Sequence, residues 1–160
     1  MLFVNKFKLT IDAKQRLAIP AEIRERLDPK RDGEALYASL SQGPTLCLYT
    51  EADFERRSKE LDGSEWPADE VLLYENMTYP EAARLVIDKQ GRIRLPEDLL
   101  EMVSLGREVV LVGMKDHLQV HDRKEYYERR AELIRTRPDL LMNPRRMLRR
   151  AADGDSNDQP

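Results

Sequence analysis

The chain of 160 residues has one cysteine, Cys47, so it cannot close a disulfide within itself, and its thiol content fits a reducing compartment. It has no apolar run near the roughly 18 residues that a membrane span requires. Its first residues, MLFVNKFK, lack the apolar core of a secretion signal. These absences predict a cytoplasmic protein with no membrane partner. There is no glycine-rich phosphate loop, no nucleophile elbow and no HExxH. Only two histidines are present, His117 and His121, four apart on one predicted strand. A zinc site needs three or four convergent ligands, so these read as ordinary strand residues. Cys47 alternates with Leu46 and Leu48 and reads as a buried small side chain, with no histidine base in view. No catalytic residue, metal, cofactor or small-molecule ligand is expected, and the chain is not expected to be an enzyme.

Charge is what the sequence has in excess. Charged residues make up 36% and hydrophobic residues 41%, a balance that suits a small soluble protein or a subunit completing its burial by association. The net charge is only -3, but it is unevenly spread. Residues 1–31 hold eight Lys/Arg against four Asp/Glu, and residues 123–150 hold ten against four. The stretch between holds nine against nineteen. Local field, more than total charge, steers an anion.

The chain also repeats itself. Residues 9–20, LTIDAKQRLAIP, match residues 85–96, LVIDKQGRIRLP, with Leu, Ile, Asp, Arg and Pro kept at five of the twelve positions. FERR at 54–57 returns as YERR at 127–130. The alternation of Leu9 and Ile11, then of Leu17 and Ile19, predicts a pair of short strands around a turn at 12–15. Pro20 then opens a short helix. Two strands, EALYASL and TLCLYT, follow across an SQGP turn, and Thr50 is placed to cap the helix after them. The second copy predicts the same order: strands about residues 88–91, a helix from Pro96 to about Val103, two strands, and a helix over about 123–135. Between the copies, 62–84 predicts a loop and a helix.

In each turn an aspartate can bond its own backbone two residues on and fix the bend. Gly91 allows positive φ in the second turn. Arg16 and Arg92 leave the turns beside Lys14 and Lys89, and could form a phosphate-binding rim or read a guanine edge. They could equally pair with Asp12 and Asp88 and hold the turns. The segment RTRPDLLMNPRRMLRR, within the basic stretch at 135–150, could be a second DNA-contacting arm, a contact to an acidic neighbour or a solvated tail. Leu133, Ile134, Leu140 and Leu141 read as core or subunit contact.

The tandem DAKQRLAIP and DKQGRIRLP, the following VVLVGMKDHLQVHD and the helix after it resemble the MraZ family of bacterial transcription regulators over roughly residues 4–134. The resemblance implies an α+β fold of two tandem AbrB-like swapped-hairpin units with peripheral helices, pseudo-twofold, in one compact domain. The units would be 4–61 and 85–135, joined by 62–84, with a tail at 136–160 expected to be disordered. It implies a ring-shaped homo-oligomer, nucleoid-associated, that binds repeated boxes in double-stranded DNA upstream of its own operon, the division and cell-wall cluster. Lys14, Arg16, Lys89 and Arg92 would contact DNA, and Asp12 and Asp88 would organise the turns. The first turn departs from the family in carrying Gln15 where Gly is usual. A protein-interaction or antitoxin-like assembly module of the same fold, without DNA readout, is the alternative.

Overall fold

The computed structural model describes residues 1–41, 43–62 and 65–142. The expectations for the tail and its basic stretch fall largely on 143–160, outside the described residues. The chain divides into a compact unit over 1–123 and a second over 124–160.

The first unit is α+β. Its strands are β1 (Lys6–Thr10), β2 (Arg16–Ala18), β3 (Ala35–Ser41), β4 (Thr45–Thr50), β5 (Ala83–Val86), β6 (Arg92–Arg94), β7 (Glu108–Gly113) and β8 (Leu118–Asp122). Its helices are α1 (Ala21–Arg24), α2 (Pro29–Asp32), α3 (Glu51–Asp62), α4 (Ala68–Thr78) and α5 (Glu97–Met102). Six strands form one antiparallel sheet in the order β1-β7-β8-β4-β3-β5, and β2 pairs with β6 in a separate two-stranded ribbon. Exchanging each strand for its counterpart in the other repeat (β1 with β5, β3 with β7, β4 with β8) turns that order into its own reverse.

The strands flanking each turn do not pair with each other as a hairpin. The backbone bonds of the turn are used inside it, and the two strands diverge to partners from the other repeat: β1 to β7, β2 to β6, β5 to β3. The divergence lets both apolar stripes reach one core. Leu9 faces Val109 across β1–β7, as Leu85 faces Leu36 across β5–β3. Period-2 alternation places Leu36, Ala38, Leu46, Leu48, Val109, Leu111, Leu118 and Val120 on one sheet face. The ribbon's Leu17 and Ile93, Ile23 of α1 and Leu99 of α5 complete that core.

On the other sheet face Phe54 of α3 stacks on Tyr37, with ring centroids 4.6 Å apart. Thr50 caps α3 as expected: its hydroxyl accepts the Asp53 N–H at 3.1 Å and donates to the Asp53 carboxylate at 3.0 Å. Cys47 is fully buried, and burial comes first in pushing its thiol pKa up. Gly113 has no room for a Cβ, which would stand 2.5 Å from the backbone of Val4, where the N-terminal segment crosses β7. The helix α2 was not expected. Its signal is Asp28–Pro29, an N-cap that accepts the Lys30 N–H at 2.9 Å with proline next to it.

The helix α6 (Arg123–Thr136) closes the first unit with Arg123 and continues into the second, which also holds α7 (Asp139–Met142). Leu133 and Ile134, read from the sequence as core or subunit contact, are about half exposed.

Candidate nucleic-acid interface

The two repeated turns are built by the same bonds. Asp12 Oδ1 accepts the N–H groups of Lys14 and Arg16, each at 2.9 Å, and Oδ2 accepts Arg16 Nε–H at 2.7 Å. Asp88 Oδ1 accepts the N–H groups of Gln90 and Arg92, each at 2.9 Å. Its Oδ2 accepts Arg92 Nε–H at 3.1 Å, with Nη2 at 3.0 Å. The N–H of Gln15 donates to Asp12 O, and that of Gly91 to Asp88 O. Asp12 and Asp88 return their own N–H groups to Arg16 O and Arg92 O. The Arg16 N–H comes first in holding the Asp12 carboxyl below its ordinary pKa, with the Arg16 side chain and the Lys14 N–H adding to it. Asp88 is lowered in the same way, first by the Arg92 N–H. Donors aimed at the charged form favour it.

Gln15 takes φ 60°, the left-handed region that Gly91 occupies at 77°. The first turn therefore keeps the geometry of the second without its glycine. Sequence spacing left the roles of Arg16 and Arg92 open between rim and turn; in the structure both pair with their turn aspartates. Asp12 engages only the Nε of Arg16, whose Nη atoms have no hydrogen-bond partner among the described residues. Lys14 and Lys89 are exposed and make no ion pair there.

The ribbon brings these turns together. Leu17 pairs with Ile93, both fully buried, so the inner face is apolar. Arg16 stands opposite Arg94, and Ala18 opposite Arg92. Residues directly opposite share a face, so the outer face carries Arg16, Arg92 and Arg94 in a row of four positions. The Ile19 N–H bonds Gly91 O at 2.8 Å, and the Leu95 N–H bonds Gln15 O at 2.9 Å, tying each strand to the other repeat's turn. Two arginines directly opposite each other repel, and an anion across them would relieve that repulsion.

Two basic residues here were not singled out from the sequence. Arg94 lies two after Arg92, a same-face spacing that could have found it. Arg24 had no such signal. It reaches from α1 of the first repeat to the second turn, where its Nε and Cζ would stand 2.6 Å from a Cβ on Gly91.

The histidines form a polar chain along β8. Nδ1 of His117 meets Asp116 at 2.7 Å, and Gln119 links Nε2 of His117 to Nε2 of His121 at 3.1 and 2.9 Å. No cluster able to hold a metal ion occurs among the described residues, and none of their helices is long and apolar enough to cross a membrane.

The fold and this face define a class: a duplicated α+β protein that interlocks its two copies and turns a cationic β-ribbon outward. Residues 79–142 match the family model of the MraZ protein, described as antitoxin-like. The chain is 31% identical over 133 residues to the transcriptional regulator MraZ of Symbiobacterium thermophilum, covering 81% of this chain and 93% of that protein. It is 30% identical over 141 residues to the transcriptional regulator MraZ of Neisseria gonorrhoeae, covering 88% and 93%. The protein of that name from Mycoplasma mycoides subsp. mycoides is 24% identical over 135 residues, covering 84% and 97%. This chain belongs to the MraZ family.

Proposed function

We propose that this protein is a DNA-binding transcription regulator that acts as a homo-oligomer in the cytoplasm, associated with the nucleoid. The observation that carries the reading is the outer ribbon face, where Arg16, Arg92 and Arg94 line up on a strand pair over a buried apolar floor. A two-stranded ribbon fits the major groove. Lys14, Arg16, Lys89 and Arg92 are the proposed DNA contacts, with Asp12 and Asp88 organising the turns that present them. The names of the relatives support the same reading.

The exchange of strands between repeats supports an AbrB-like swapped-hairpin arrangement of units 4–61 and 85–135 joined by 62–84. Self-association is supported by α4, where Leu72, Leu73, Tyr74 and Met77 are exposed on the single chain. A ring presenting many ribbons would sum weak contacts on repeated boxes upstream of the protein's own operon.

The test is binding to the protein's own upstream DNA against scrambled DNA over a salt series, because phosphate contacts make affinity salt-dependent. Arg16→Ala is expected to weaken binding roughly tenfold or more, about 1.4 kcal/mol, with the oligomer intact. An Arg16→Ala protein that binds as well as the parent removes this face from the mechanism. The internal pairing of both turn arginines favours a second reading, an antitoxin-like interaction module without DNA readout. No preference for its own DNA at any salt concentration selects that one.

A further inference from the structure

Arg24 and Arg94 are cations that the duplication does not supply twice. Their counterparts 76 residues away are Leu100 and Ala18. Each lies beside a turn of the other repeat. Arg94, on the strand of the second repeat, is in register with Arg16 at the end of the first turn. Arg24, on the helix of the first repeat, donates Nε–H to Ile19 O at 2.9 Å and rests on the bare Cα of Gly91 in the second turn. Neither makes an ion pair among the described residues, although the chain carries more acid than base.

We propose that the ribbon holds two composite phosphate-contacting clusters, each completed across the repeat boundary: Lys14 and Arg16 by Arg94, Lys89 and Arg92 by Arg24. The inference rests on the DNA-binding reading above and deepens it. An arginine fork matches a phosphate bidentately. Arg24 is held at its Nε by Ile19 O, so its terminal nitrogens are oriented before any ligand arrives, which lowers the ordering cost of binding. Arg94 has no side-chain hydrogen bond among the described residues and faces a like charge across the ribbon. The two clusters therefore have equal numbers of cations and different rigidity. Turns that look alike in sequence are unequal as binding sites, because each takes its third cation from a different element.

The full-length protein provides its own control substitutions. Arg24→Leu and Arg94→Ala install the residues already present at the counterpart positions. Binding of a duplex of the protein's own upstream DNA is followed by fluorescence anisotropy across a salt titration. Each substitution is expected to weaken binding several-fold and to lower the slope of log affinity against log salt by about 0.9 for each phosphate no longer neutralised. The mass by light scattering should stay at the parent value in both, and the melting temperature should stay there in Arg94→Ala, whereas Arg24→Leu gives up the bond to Ile19 O. Lys59→Ala, an exposed cation on α3, should leave the slope alone. If Arg24→Leu lowers the melting temperature, Arg94→Ala and Ala18→Arg carry the test, the latter raising the slope by a similar amount. Unchanged affinity and slope in these variants, with Arg16→Ala still impaired, overturn the composite clusters and leave the DNA-binding reading standing. A parent protein without preference for its own DNA overturns both.

Discussion

Exchanging the residues at 15 and 91 is a test with opposite signs at the two turns. Gln15 sits at φ 60°, where an L side chain costs roughly 1–2 kcal/mol that glycine does not incur. Glycine gives back about 0.4–1 kcal/mol through its more flexible unfolded chain. Gln15→Gly is therefore expected to stabilise by about 0.5–1 kcal/mol. Gly91→Gln incurs the same left-handed strain at φ 77° and also meets Arg24, whose Nε and Cζ would lie 2.6 Å from the new Cβ. Arg24 must then move, and its hydrogen bond to Ile19 O is worth about 0.5–1.5 kcal/mol. The sum is a loss of about 1–2.5 kcal/mol.

For a chain of this length about 1 kcal/mol corresponds to roughly 2–4 °C in melting temperature. Gln15→Gly should raise the midpoint by about 1–4 °C, and Gly91→Gln should lower it by about 2–10 °C. The assay is thermal unfolding followed by circular dichroism at one fixed protein concentration, so that any linkage to oligomer formation is constant. The double variant Gly91→Gln with Arg24→Leu gives the second turn the residues found at 15 and 100. It should lose less than the sum of the two single losses, because each single variant already gives up the Arg24–Ile19 bond, a coupling that a double-mutant cycle reads directly. A midpoint that falls in Gln15→Gly, or Gly91→Gln as stable as the parent, refutes the assignment of strain and of Arg24 as the obstruction.

Two further outcomes are expected. Asp12 and Asp88 have folded pKa values below their ordinary value of 3.8, so their contribution is present above that value and lost as pH falls through the lowered ones. Acid titration of the melting temperature should accordingly show a steeper drop below pH 3.8 in the parent than in Asp12→Asn/Asp88→Asn; equal slopes would show that the carboxylates do not hold the turns. On α4, Leu73 and Met77 are 65% and 76% exposed, so Leu73→Asp/Met77→Glu should change the stability of the single chain by less than about 0.5 kcal/mol per site. Light scattering should show a smaller particle for that variant, and an unchanged mass would move the proposed subunit contact elsewhere.

The elements were legible because their signals are local. Alternation marked the strands flanking the repeated turns, the SQGP turn marked the pair β3 and β4, the Thr50–Asp53 spacing marked the start of α3, and Pro20 and Pro96 marked where α1 and α5 begin. Partner choice was not legible. Leu9 alternates identically whether its strand pairs with the neighbouring strand or with one a hundred residues on, since period 2 fixes a face and not a neighbour. The site divided in the same way. Asp12 and Asp88 bond the backbone two and four residues ahead, and such contacts can be read from spacing. Arg24 meets Gly91 only because the repeats interlock, so no window of sequence contains both.

That interlocking also bears on why the copies differ where they do. A duplicated unit that folded alone would keep both its turns under the same constraints. Here the space over the second turn is set by Arg24, on the helix of the first copy, so a change at position 24 acts on position 91. Gly91 lies under the long Arg24, where even a Cβ collides. Gln15, whose opposite number at 100 is a leucine, keeps the left-handed bend with a full side chain. At the 76-residue offset the pair equivalent to 24 with 91 is 100 with 15, again residues from different copies. Substitutions at one turn should couple energetically across the repeat boundary more strongly than to the equivalent position in the same copy.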